Sequence, residues 1–204
     1  YIDSYDIVAR VNELHIPSSE EVNYGSRTDL VFHNLNSDDG IRCLKNDMKK
    51  YPAACNNIRL LVCSQKKYDN AGVDIVKLFH NENKFNIPFY HLGDDFVDSA
   101  ASQMGLKPNT GMMSIIKLMT CNLSELFVTG ISFYAQGNNS TQVYRKDASL
   151  KNGSSYLTGE CSHPQAPQKR FFKSLLLNHS KIIKIDSYME RILQIKYDNV
   201  KHFK

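Results

Sequence analysis

Apolar residues fall along the chain in short β-prone runs separated by stretches with helical spacing. Ile7, Val8 and Val11 predict a first strand within residues 3–12, and Leu30, Val31 and Phe32 a second within 29–33. The stretch between them, 15–24, is polar with one proline and reads as a loop closed by a Gly25-Ser26-Arg27-Thr28 turn. Residues 39–50 place Ile41, Leu44 and Met48 on one side of a helix. A strand over 57–63, a helix over 69–80, a strand over 87–92 and a helix over 94–104 follow. The last of these begins at an acidic cap, Asp94 or Asp95, and stops at Gly105.

The next stretch organises the rest. Pro108 cannot continue a helix from before it, Thr110 can cap the helix that follows, and Gly111 lets a backbone approach closely. Met113, Ile116, Leu118 and Met119 give that helix an apolar side, and 125–129 is a short β-prone run. A helix N-terminus of this kind is a ready site for a phosphate or carboxylate. Residues 131–162 are rich in Gly, Asn and Ser and read as a long loop. His163 then precedes a helix striped by Phe171, Phe172, Leu175 and Leu176, a strand over 181–185, and a charged C-terminal helix over 187–204 with Met189, Ile192, Leu193 and Ile195 able to pack. Strands alternating with helices predict one α/β domain over 1–204, Rossmann-like, with a mostly parallel sheet and helices on both faces.

Composition narrows the function classes. The chain has 204 residues with 25 Lys plus Arg against 21 Asp plus Glu, a net charge of +4. That mild excess steers anions but is no nucleic-acid footprint, because the basic residues are scattered. No apolar run approaches the ~20 residues of a membrane span, and no targeting segment is visible. The five cysteines, Cys43, Cys55, Cys63, Cys121 and Cys161, match no zinc spacing. Cys63 and Cys121 sit in apolar runs and are expected as buried thiols. Sequons at Asn122, Asn138, Asn139, Asn152 and Asn178 leave the compartment open. Arg10 and Arg27 are expected as structural ion-pair or carbonyl-bonding residues rather than catalysts.

Two stretches carry a family resemblance. Pro108-Asn-Thr-Gly, an apolar helix ending at Cys121 and an apolar strand ending at Gly130 resemble the sialylmotif S of animal-type sialyltransferases (glycosyltransferase family 29), with Asn109 where the family form has Ser. Ile2-Asp3-Ser4, Asp6, Val8, Arg10, Asn12, Pro17 and Gly25-Ser-Arg-Thr28 are similar to the later part of sialylmotif L. Val143-Tyr144 resembles the His-Tyr of motif III without its His. His163 to Gln168 resembles the very short motif, with Gln168 in the acidic position. The start of motif L, which touches the donor in the family, would lie before Tyr1. The partner usually bridged to the motif S cysteine, here Cys121, would lie there too, and a cut inside the motif is expected.

The resemblance spans essentially the whole chain. It implies a variant GT-A-like fold and an inverting transfer of sialic acid from CMP-sialic acid to a glycan hydroxyl on a glycoprotein or glycolipid, with no metal and no cofactor. His163 would be the general base. Asn109, Thr110 and Gly111 would hold the sugar carboxylate, Gly130, Ile131 and Ser132 would lie against the cytidine, Asn12 would bond ribose or phosphate, and Tyr144 would reach the phosphate. A Golgi or secretory setting is implied as well. The residues leave three alternatives open. These are a transferase of another CMP-sugar such as Kdo, a silent relative that only binds nucleotide or glycan, and an unrelated nucleotide- or nucleic-acid-binding α/β domain.

Overall fold

The computed structural model describes residues 1–35, 40–69, 71–131, 133 and 164–201. Ser132, Tyr144 and His163, and nearly all of the expected loop over 131–162, lie outside the described residues. The chain is mixed α/β, its named strands pair only in parallel, and it divides into two compact units, Tyr1–Ser99 and Ala100–Lys204. Each unit has its own hydrophobic core.

The first unit holds β1 (Ala9–Val11), β2 (Leu30–His33), β3 (Leu60–Cys63) and β4 (Phe89–His91), paired in sequence order. The register places Leu30 beside Ala9 and Leu60, and Phe89 beside Leu61. The central strands β2 and β3 bury three consecutive residues each, as parallel strands covered on both faces do. Helices supply the crossovers: α1 (Glu21–Tyr24), α2 (Gly40–Lys50), α3 (Pro52–Asn57) and α4 (Ile75–Glu82). The predicted face of α2 is the buried one, with Ile41, Leu44 and Met48 each under 7 % exposed. Helix α3 was not expected, although Pro52 at its first turn is a start signal. Helix α4 begins later than the sequence suggested. Asp74 caps it by accepting the Lys77 N–H at 2.9 Å, while the Asp69 carboxylate folds back on the Ala71 and Val73 N–H groups and makes the preceding segment a turn.

The loop between β1 and β2 is tied by the residues that resemble motif L. Arg10 donates to the carbonyls of Tyr24 (2.7 Å), Gly25 (3.2 Å) and Arg27 (2.8 Å). Arg27 donates to the Asp3, Tyr5 and Asp6 carbonyls and pairs with the Asp29 carboxylate at 2.8 Å. Both guanidiniums therefore serve the fold, as expected. The Asp3 carboxylate accepts from the Ser26 N–H, the Ser26 hydroxyl and the Arg27 N–H. Partial burial works to raise this carboxyl, but those bonds and the Arg10 charge outweigh it and hold it below the usual carboxylate range. Gly25 has φ +70°, and a Cβ there would stand 2.5 Å from Asp3 Oδ1. Gly25→Ala is accordingly expected to destabilise by about 1–3 kcal/mol, read as a lowered urea midpoint at unchanged m-value.

The second unit holds α6 (Thr110–Met119), β5 (Leu126–Val128), α7 (Gln165–Asn178), β6 (Ile183–Asp186), α8 (Ser187–Leu193) and β7 (Val200–Lys201), its sheet ordered β5-β6-β7. Helix α5 (Asp94–Met104) carries the division between the units, has the predicted bounds, and is followed by Gly105 at φ +69°. The Asp94 carboxylate accepts the Lys67 N–H at 2.8 Å. Phe172, Leu176, Ile183, Ile185, Met189 and Leu193 are all fully buried in this core. The expected C-terminal helix is corrected: it ends at Leu193, Gln194 turns left-handed at φ 55°, and the chain adds β7. The Tyr197 hydroxyl donates to the Ile183 carbonyl at 3.0 Å and fixes that return.

The cysteines divide differently from expectation. Cys55 and Cys63 are buried, and Cys121 is exposed because it lies beyond the end of α6. Burial pushes the Cys63 thiol up to about 12. In site-resolved thiol labelling of the native protein, Cys121 is expected to react and Cys63 to stay protected until the chain unfolds. Labelling of Cys63 at the Cys121 rate would contradict this core.

Candidate functional site

The residues singled out in the sequence fall in two places, one in each unit. In the first unit, Asn12 follows β1 at the carboxyl edge of the sheet, where open α/β sheets bind ligands. It adopts φ 59°, a left-handed geometry that Asn tolerates better than most residues. Its N–H donates to the Phe32 carbonyl at 2.8 Å, and its Oδ1 accepts the Asn34 N–H at 3.2 Å. Asn12 therefore fixes the exit of β2 as well as standing on the edge. Along the same edge, the buried His33 accepts the Leu35 N–H at Nδ1, the Ser64 hydroxyl donates to the His33 carbonyl, and His91 Nε2 lies 2.8 Å from the Gln65 carbonyl. The strand order never reverses within this sheet, so no switch-point crevice opens between its own strands.

In the second unit the centre is the start of α6. The cap is Asn109 rather than Thr110: Asn109 Oδ1 accepts the Met112 N–H at 2.8 Å, and Thr110 is the first helical residue. Asparagine is as good a cap as serine, so the departure from the family form keeps the helix start. Capping uses one of the four N-terminal donors of the helix, and the Met113 N–H bonds to the Asn109 carbonyl. The N–H groups of Thr110 and Gly111 have no acceptor among the described residues. Two backbone donors thus stand at the positive end of a ten-residue helix.

Gly111 and Ile131 meet here. A Cβ on Gly111 would lie 3.4 Å from Asn109 Oδ1 and 3.8 Å from Ile131 Cδ1, both ordinary contacts, so these three residues stand side by side. Gly130 turns the chain at φ +75° just past β5. The structure thus brings together Asn109, Gly111 and Ile131 of the expected donor set, with Thr110 and Gly130 adjacent to them in the chain. Just before that turn, the Thr129 hydroxyl donates to Asp186 Oδ2, and Asp186 Oδ1 accepts the Met189 N–H at 2.7 Å to cap α8. This buried carboxylate holds the ends of β5 and β6 together.

Gln168 is the residue whose role the sequence obscured. It is fully buried, its Oε1 accepts the Asn109 N–H at 3.0 Å, and its amide nitrogen donates to the Pro164 carbonyl at 3.3 Å. One side chain therefore joins the cap of α6 to the residue following His163. An amide can accept and donate at once, which a carboxylate does only when protonated. The signal was a polar residue three and four positions ahead of Phe171 and Phe172, on the face of the helix that they share. Among the described residues no group of His, Cys, Asp or Glu side chains could hold a metal ion, and no helix is long and apolar enough to cross a membrane. No protein-family model, curated protein or solved structure matches the chain.

Proposed function

We propose that the chain is a glycosyltransferase of the sialyltransferase type, with a variant GT-A-like fold, that transfers sialic acid from its CMP-linked donor to a glycan hydroxyl with inversion. The observation that carries this reading is the start of α6: two N–H groups without an acceptor among the described residues, on a helix dipole, beside the turn after β5. A sugar carboxylate fits that position, with Asn109, Thr110 and Gly111 around it. Gly130, Ile131 and Ser132 would lie along the cytidine, and Tyr144 would bond the phosphate. His163, as the neutral imidazole, takes the acceptor hydroxyl proton as that oxygen attacks the anomeric carbon. The bond from that carbon to the phosphate oxygen breaks, and CMP leaves. The Gln168 link from Asn109 to Pro164 supports the reading, because it ties the carboxylate site to the chain that bears the base.

Thr110→Pro isolates the carboxylate site. Proline is at home in the first helical turn, and Asn109 already has the extended geometry required before it (φ −73°, ψ 170°). The change removes one N–H and keeps the helix. Affinity for CMP-sialic acid is expected to fall about 10–100-fold while affinity for CMP alone is unchanged. The function itself is tested by supplying CMP-sialic acid and CMP-Kdo separately with a panel of glycan acceptors. Acceptor-dependent release of CMP from the sialic acid donor is expected. Transfer from CMP-Kdo alone would reassign the sugar. The loss of the motif III His at Val143 favours a second reading, a silent relative, which predicts donor binding with no release of CMP.

A further inference from the structure

The first unit contains a cleft that the proposed transfer does not use. It has a volume of about 470 Å³ and is lined by Leu14, His15, Arg27, Thr28, Asp29 and Asn57 among others. Thr28 and Asp29 lead into β2, and Asn57 comes just before β3, so these walls stand at the amino ends of the strands. Asn12 stands at the carboxyl end of β1.

Several polar groups on its walls are unused by the fold. Thr28 is 8 % exposed and its hydroxyl has no hydrogen-bond partner among the described residues. Asp29 is 9 % exposed: its Oδ2 accepts from the Val8 N–H and from Arg27, both at 2.8 Å, while its Oδ1 accepts nothing among the described residues. The His15 ring nitrogens and the Asn57 amide are likewise without partners there. Neither the Thr28 hydroxyl nor Asp29 Oδ1 is a sealed-off atom, so both reach solvent on residues that line the cleft and are open to a ligand.

The chemistry of these groups selects the ligand. The charge of Asp29 is already met by Arg27, and the terminal N–H groups of Arg27 go to that carboxylate and to three carbonyls, leaving its Nε–H as the one donor without a partner among the described residues. The walls therefore offer little net charge to a cation or an anion. They offer an acceptor at Asp29, a hydroxyl at Thr28, an amide at Asn57 and an imidazole at His15, which together suit vicinal hydroxyls that both donate and accept. The His15 ring is stacked on Tyr51 with centroids 4.1 Å apart, so one ring face is covered and only the other is open to a ligand. A flat ring face of this kind packs against the C–H face of a pyranose. The volume lies within the range of small-molecule sites. We propose that this cleft is a saccharide-binding site for a neutral hexopyranose unit. It shares no residue with the proposed donor set and is independent of the transferase reading.

The test is a titration of the whole chain, followed by amide ¹H–¹⁵N correlation spectra, with galactose, glucose and N-acetylglucosamine. Sodium phosphate and arginine serve as charged controls. At least one sugar is expected to shift the amides of Leu14, His15, Thr28 and Asn57 with a Kd on the order of millimolar. Asn57→Ala removes an exposed amide, and Thr28→Val removes the hydroxyl with little change of shape. Each is expected to weaken the sugar about 3–10-fold with the rest of the spectrum retained. No cleft shifts with any of the three sugars, cleft shifts with phosphate or arginine only, or sugar affinities unchanged in both variants would each overturn the proposal.

Discussion

His163→Ala is expected to lower kcat about 10²–10⁴-fold while the Kd for CMP stays within about threefold of the parent value. The reasoning is chemical. A sugar hydroxyl is a poor nucleophile until a base takes its proton, and imidazole is the side chain whose ordinary pKa suits that task near neutrality. Binding of CMP does not use the base, so the effect falls on turnover rather than on donor affinity. The pH profile carries a second readout. In the parent protein kcat should rise with pH through the imidazole pKa, and in the variant that rising limb should disappear. A variant with near-parent turnover would remove His163 from the chemistry and move the account to the silent reading.

Gln168→Ala is expected to cost about 2–4 kcal/mol of stability, the largest loss foreseen for any polar residue in the second unit. The side chain is fully buried, and its removal leaves a cavity and strands the Asn109 N–H and the Pro164 carbonyl. A plain loss of stability would not distinguish a scaffold residue from a positioning one. Gln168→Glu does. A buried glutamate here can accept from Asn109, but it donates to Pro164 only when protonated, and burial raises its folded pKa above the unfolded value. Its stabilising contribution is then fully present below the unfolded pKa and is lost as pH rises through the folded one. The variant should match the parent in mildly acidic buffer and fall behind it as pH rises. Donor affinity should follow the same pH curve, because Asn109 sits at the carboxylate site. Stability that varies with pH while donor affinity does not would make Gln168 a scaffold residue alone.

The fold class was legible because the signals were strong and local. The run Leu30 to His33 and the run Leu60 to Cys63 are continuous apolar stretches, as doubly covered parallel strands must be. The bounds of α5 were readable from the acidic start and Gly105. The errors came where the deciding contact was distant or the stop signal unusual. Gln194 ends α8 in a left-handed conformation without being glycine, and β7 is only two residues long. Asp69 and Asp74 are both plausible caps, and only the hydrogen bond to Lys77 chooses between them. At the site, the backbone donors of α6 could be foreseen from Pro108 to Gly111. The Gln168 link could not, since it joins residues far apart in the sequence through side-chain geometry. The division into two units also left no composition shift to read, because the boundary falls inside the helix α5.

The central claim is that the α6 start belongs to a CMP-sugar site, and a calorimetric titration of the chain with CMP, with UMP as control, tests it most directly. The account predicts micromolar binding of CMP and at least about tenfold weaker binding of UMP. Equal affinity for the two nucleotides, or no heat with either, would contradict it.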